Sequence, residues 1–292
     1  MARVTLAPGI HDAVPADTYH ADPCEKPSLS ASIARILIGK SPAHAKAAHP
    51  VLNPELERED SSKFDIGTAA HRLFLEGDDA IEVWAGSLDW RPGDARAFRD
   101  EMRTRGKIPL LVSQAGDVRS MVAEARAQIE THRAKPPLFA DGKPEQTLVW
   151  EDDHGVICRA RLDWLRDDYA AIDDLKSTSA SADPQKWERT MYGMGGDVQV
   201  AFYMRGVERL TGIKPVFRFV VVETYPPYAL SVVDLAPSAL ALADDKVQRA
   251  VDLWATCLEN DFWPAYPASV ASIEVPTYEE LNWLAREREA AA

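Results

Sequence analysis

The chain is short of long apolar runs, of patterned cysteine and of positive charge, and each shortage removes a class of protein. No stretch of about 18 consecutive apolar residues occurs, so no membrane-spanning helix is expected. Its three cysteines, Cys24, Cys158 and Cys257, lie far apart without C-x-x-C spacing. That excludes a disulfide framework, a zinc ribbon or an iron–sulfur cluster, and points to a reducing compartment. The N-terminal stretch MARVTLAPGIHDAVPADTYH lacks the basic-then-apolar layout of a secretion signal, so a cytoplasmic location is expected. No internal repeat or low-complexity block is present. Lysine and arginine number 33 against 46 aspartates and glutamates, a net charge of −13. The broad basic footprint of an ordinary nucleic-acid binder is therefore missing, although a local basic groove can sit on an acidic body.

What is present reads as an α/β protein. With 292 residues, 46% of them hydrophobic and 27% charged, the chain suits one large domain. Residues 1–27 show no periodicity and read as an arm. Ser30 or Ser32 then caps a helix carrying Ile33, Ile36 and Leu37 at helical spacing, and a second short helix follows Pro42. A helix N-terminus with hydroxyls can hold a phosphate, and ordinary capping explains the same serines. A further helix, capped near Ser61 or Ser62 and closed by Gly77, buries Ile66, Ala69, Ala70, Leu73 and Phe74 and carries His71. Residues 78–112 read as loops with one short helix near Asp94–Arg105, and Ser113–Ala134 as a long amphipathic helix. A three-stranded meander follows over Glu145–Glu151, Val156–Leu165 and Tyr169–Lys176. Ser177–Gly196 reads as a polar, glycine-rich connection to a helix capped by Asp197, on which Gln199 and Tyr203 share a face. Val216–Glu223 is a central strand, apolar on both faces. A partner strand, a helix over Leu235–Glu259, a fixed Trp263–Tyr266 loop and a terminal helix over Tyr278–Glu289 complete the chain. Residues 1–60 make an N-terminal arm and helical segment, and residues 61–292 the core.

Chemistry concentrates in Val156–Thr178. Residues two apart on a strand share a face, so Asp174 and Lys176 point together while Asp173 points away. Asp163 lies on the neighbouring strand. Two carboxylates beside a lysine are what a divalent-metal phosphodiesterase needs: hard oxygen ligands for Mg²⁺, and an ammonium to orient the attacking water. A hairpin with its charges on a solvated face would carry the same D-x-K.

The order helix (His71), three strands (Asp163, then Asp174-x-Lys176), helix (Gln199, Tyr203), strand resembles the PD-(D/E)XK nuclease superfamily. More narrowly it is similar to the RecB-type branch and the exonuclease domain of RecE. The resemblance rests on five ordered blocks: SLSASIARILIGKSPAH, GTAAHRLFLEG, CRARLDWL with IDDLKST, Gln199 to Tyr203, and Trp263 to Tyr266. It implies a restriction-endonuclease-like core, a mixed central sheet flanked by helices, with an N-terminal helical addition. Two departures stand out: Leu162 precedes the first acid where the superfamily has proline, and Asp174 stands where many relatives have glutamate. The four-cysteine cluster of some RecB-type relatives is absent.

By that resemblance His71, Asp163, Asp174 and the backbone carbonyl of Leu175 bind Mg²⁺, for which Mn²⁺ substitutes. Lys176 activates water, and Gln199 and Tyr203 brace the site and meet the DNA backbone. Glu145 adds an outer carboxylate or is a plain strand-edge residue, and Ser30 and Ser32 lie in the segment that approaches a 5′ phosphate. The implied activity is 5′ to 3′ digestion of one strand of linear duplex DNA, leaving 3′ overhangs for a RecT-like annealing protein. A ring-forming homo-oligomer in a phage or prophage setting is implied as well. An endonuclease on duplex or branched DNA, or a catalytically silent DNA-binding module, would share the fold.

Overall fold

The computed structural model describes residues 5–55 and 66–290. The first half runs β1 (Gly9–His11), α1 (Ala16–His20), β2 (Leu29–Ser30), α2 (Ala31–Gly39), α3 (Pro42–Ala48), α4 (Ile66–Glu76), β3 (Ile81–Trp84), α5 (Gly93–Thr104), β4 (Ile108–Leu111) and α6 (Val112–Thr131). The second half holds β5 (Gly142–Glu151), β6 (Ile157–Arg166), β7 (Ala171–Thr178), α7 (Pro184–Gly193), α8 (Gly196–Thr211), β8 (Val216–Glu223), β9 (Leu230–Val233), α9 (Pro237–Asn260) and α10 (Thr277–Ala290).

Seven strands form a mixed sheet in the order β1-β5-β6-β7-β8-β9, with β2 beside β6. The β5–β6 hairpin is antiparallel, whereas β7 and β8 run parallel over eight residue pairs from Ala171↔Val216 to Thr178↔Glu223. Parallel neighbours need a crossover, and α7 and α8 supply it. β8 is buried on both faces, as its run of valines and phenylalanines requires. Phe217, Phe219 and Val221 join a core built with α2, α8 and α9, in which Trp187 and Trp254 are fully buried. Val220 and Val222 join a second core with α4, α6 and the β3–β4 pair. Each fully buried large side chain contributes roughly 1.5–3 kcal/mol, so the sheet is clamped from both sides.

The cap expected at Ser30 or Ser32 forms at Ser30, and the second short helix has a cap at Ser41 that was not expected. Ser30 Oγ accepts from the Ile33 N–H at 3.4 Å and Ser41 Oγ from that of His44 at 3.4 Å. The cap expected near Ser61 or Ser62 lies outside the described residues. Three readings need correction. Residues 78–112 contain α5 and also a parallel strand pair, Ile81–Trp84 with Ile108–Leu111. Ser177–Gly196 contains α7, whose cap is Asp183 (its side chain accepts from Gln185 N–H at 3.0 Å) and whose first residue is proline. Asp197 is no cap: Gly195, at φ 71°, holds that position with Arg35 packed against it. Asp197 sits buried in the first turn, where it accepts from Lys246 Nζ at 2.5 Å. The Trp263–Tyr266 loop is fixed by Ala43 N–H donating to Pro264 O at 3.1 Å and by Trp263 packing edge-on against Trp254. α10 forms with no buried residue. Among the described residues no helix is long and apolar enough to cross a membrane.

Candidate active site

The site lies where two strands part. β6 and β7 pair only at Trp164↔Asp173 and Leu165↔Ile172. The next pair in that register would be Asp163 with Asp174. Beyond that point β7 leaves, and β2 takes the same edge of β6 at Cys158 and Arg159. At the parting the Leu175 N–H finds a side chain, donating to Asp163 Oδ2 at 2.8 Å. On the other edge of β6, Glu145 faces Asp163 between the pairs Pro144↔Trp164 and Gln146↔Leu162 and adopts φ 54°. Cys158, Ala160, Leu162 and Leu165 all join one core, so the alternation of β6 takes an odd step around Asp163.

Five side chains converge there. His71 Nε2 lies 2.9 Å from Asp163 Oδ2. The Lys176 ammonium is in ion-pair contact with Asp174 Oδ1, and Gln199 Nε2 donates to Asp174 Oδ2 at 2.6 Å. Asp174 is almost fully buried, so the Gln199 donor at one oxygen and the Lys176 charge beside the other are what keep its charge tolerable. One helical turn past Gln199, Tyr203 packs against Phe217 and its hydroxyl meets Gln199.

The electrostatics follow from burial and pairing. Burial pushes the Asp163 carboxyl up, yet His71, Lys176 and the Leu175 N–H outweigh it and hold the group below its ordinary value. Burial and the neighbouring Asp163 charge push Asp174 up against the pull of Lys176. Burial works against the charge of Lys176, but Asp174 and Asp163 raise its pKa overall. His71 is raised too: burial opposes its charge, and Asp163 and then Glu145 favour it. Two acids and two bases thus form a closed, mutually neutralising set.

The donor set fits a hard divalent cation. Asp163 and Asp174 offer carboxylate oxygens from facing strand positions, and Asp174 Oδ1 makes no hydrogen bond among the described residues, its one contact being the movable Lys176 ammonium. Among the described residues no three His, Cys, Asp or Glu side chains converge on a single point; His71 and Lys176 hold the oxygens that a cation would take.

Glu145 accepts from Arg161 Nε, and both line a groove of about 1360 Å³ with His71, Arg72, Arg103 and Lys107. The arm lines the same groove with residues 12–17 and His20. Its cations face a similar number of carboxylates, so the groove is close to neutral on a strongly acidic chain. Ser30 pairs in register with Arg159, four residues along β6 from Asp163, or about 13 Å at strand spacing. It is buried as a helix cap, with the exposed Ser32 hydroxyl 3.0 Å away. The structure does not bring either serine into the cluster. Sequence reasoning missed Arg161, although its place two residues before Asp163 was a signal. It also missed the buried pair Asp173–Arg218, whose partners are 45 residues apart.

Residues 30–275 match the family described as PDDEXK-like domain of unknown function (DUF3799). No curated protein matches the chain. Among solved structures, a candidate exonuclease from Eubacterium rectale aligns over 92% of this chain and 97% of its own, with TM-score 0.59 and 16% identity, a likeness of fold. A second structure, SSO0001, covers 53% of this chain and 69% of its own at TM-score 0.25 and 13% identity, too weak to carry an argument. With most of its length inside the family match, and its acids at the parting of two strands of a mixed sheet, the chain belongs to the PDDEXK-like family DUF3799, within the PD-(D/E)XK superfamily.

Proposed function

We propose that the chain is a metal-dependent deoxyribonuclease, acting as an exonuclease of RecE type on linear duplex DNA. The observation that carries the reading is the convergence of Asp163, Asp174, Lys176 and Gln199 at the break between β6 and β7. Asp163, Asp174, His71 and the Leu175 carbonyl would hold Mg²⁺, or Mn²⁺ in its place. A cation bound there supplies Lewis-acid polarisation of the scissile phosphate and neutralises charge that builds on it. With Asp174 turned to a cation, the Lys176 ammonium would be free to orient the attacking water as a hydrogen-bond donor, and the water's proton would pass to bulk solvent. Gln199 holds Asp174 in one rotamer through its 2.6 Å bond, and Tyr203 backs Gln199. In-line attack would leave a 5′ phosphate. Arg72, Arg103 and Lys107 line the groove beside His71 and Glu145; Arg72 is paired with Glu76 and Lys107 with Glu82, and DNA phosphates would compete for them there.

The finer reading is digestion from the 5′ end, leaving a 3′ overhang for a RecT-like annealing protein, with the chain assembled as a ring in a recombination setting. The test is digestion of linear duplex labelled separately at each 5′ and 3′ end, beside a closed circle, with Mg²⁺, Mn²⁺ or EDTA. Release of 5′ label, lost with EDTA and in Lys176→Ala, with circles intact, is the expected result. Cut circles would make the protein an endonuclease. DNA binding without cleavage in any divalent metal would make it a silent module and overturn the proposal.

A further inference from the structure

Asp173, next in sequence to the metal-facing Asp174, is fully buried on the other face of β7. Directly across from it on β8 stands Arg218. The two form a bidentate fork, Nε to Oδ1 at 2.6 Å and Nη2 to Oδ2 at 3.0 Å. Each partner has a second task. Arg218 Nη1 donates to Pro136 O at 2.5 Å, and Asp173 Oδ2 accepts the Phe139 N–H at 2.7 Å. The fork therefore grips the segment 136–139 at both ends. Phe139, held at φ 48°, lays its ring edge-on against Phe74 at 4.9 Å and Trp164 at 6.0 Å between centroids. Phe74 stands three residues after His71 on α4, and Trp164 follows Asp163 on β6.

One ring thus touches the helix that carries His71 and the strand that carries Asp163, and is itself fastened to the strand that carries Asp174. The His71–Asp163 approach is a single 2.9 Å contact, and a slide of α4 by well under one ångström would break it. A buried, planar, bidentate pair is costly to desolvate and rigid once made, which suits it to fixing geometry. We infer that Phe139, clamped by the Asp173–Arg218 fork, is a positioning residue that sets the spacing of α4 from β6 and with it the arrangement of His71 and Asp163 toward the metal. The inference rests on the metal-dependent reading of this cluster.

The experiment compares Phe139→Ala, Phe139→Tyr and Val247→Ala, the last a buried core change on the α9 side of the sheet. Mn²⁺ binding is measured by calorimetry without DNA, thermal melting is followed alongside, and cleavage is titrated with metal. Phe139→Ala should weaken Mn²⁺ binding about tenfold or more, as loss of outer-sphere support does. Its cleavage rate should return at saturating metal. Phe139→Tyr, which keeps the ring, should bind within about threefold of wild type on the same scale. Val247→Ala should lower the melting temperature and leave Mn²⁺ affinity unchanged. Wild-type Mn²⁺ affinity in Phe139→Ala, or equal weakening in Val247→Ala, overturns the inference. A wild-type protein that binds Mn²⁺ without cutting DNA sinks the nuclease reading alone, because the calorimetric comparison still reports the positioning. A wild-type protein that binds no divalent metal overturns both.

Discussion

Replacing Asp22 with asparagine tests whether the N-terminal arm is fastened by charge. Asp22 is fully buried and accepts from Ser28 N at 2.9 Å, Ser28 Oγ at 2.8 Å and Cys24 N at 3.3 Å. His49 Nε2 lies at 3.1 Å and Arg159 Nη1 at 3.2 Å. Burial pushes the carboxyl up, but His49, Arg159 and Ser28 outweigh it and bring it from 3.8 to about 2. That gap, at about 1.36 kcal/mol per pH unit, corresponds to about 2.4 kcal/mol of folding stability. Because the folded value is depressed, the contribution is complete above the unfolded value near 4 and is lost as pH falls toward 2. Asparagine would set an N–H against donors already in place and leave Arg159 buried without its carboxylate, a kind of break that costs about 3–5 kcal/mol. The expected loss is therefore about 3 kcal/mol at pH 7, read as the shift in urea midpoint by tryptophan fluorescence, since Trp254 packs on His49. The difference between variant and wild type should hold down to about pH 5 and its ionic part shrink by roughly half by pH 3. The same arm walls the groove, so KM for DNA should rise with kcat little changed. A variant within about 0.5 kcal/mol of wild type, or a difference that does not shrink in acid, would refute the reasoning.

Three further outcomes are expected. Gln199→Leu removes the donor to Asp174 Oδ2; a hydrogen bond to a charged group is worth about 1.5–3 kcal/mol, so cleavage at saturating Mg²⁺ should fall roughly ten- to hundredfold. Glu145→Gln releases Arg161 from its ion pair and takes a negative charge from beside His71. The metal concentration for half-maximal cleavage should rise while the rate at saturating metal holds, as a Mn²⁺ titration would report. Removing residues 268–290, all exposed, should leave the melting temperature unchanged.

Part of the candidate site was legible from local periodicity: along β7 Asp174 and Lys176 had to share a face, and a turn of helix had to join Gln199 to Tyr203. The Ser30 cap was legible for a similarly local reason, a serine just before the first helically spaced apolar residues. What stayed hidden depended on contacts distant in sequence. β3 and β4 are four residues each, separated by 23 residues, and become strands only by pairing with each other. α7 carried its Asp-Pro start signal inside a run of serine and alanine that reads as a loop. Asp197 looked like a cap because aspartate favours that place, but glycine at left-handed φ and the reach of Lys246 reassigned it. The Asp173–Arg218 fork had no sequence signal, since alternation says only that Asp173 faces away from the site.

Gln199 lies within the crossover between β7 and β8, and that has a consequence for the order in which the protein is made. A nascent chain that has emerged as far as Lys176 already carries His71, Asp163 and Asp174. Its β7 has only two pairs with β6 to hold it, and the eight-residue ladder with β8 requires everything to Glu223. Pairing of that kind is non-local and comes late. On the proposed function, cutting power arrives only once synthesis has passed Glu223, and a chain that stops short of it is harmless to the DNA around it.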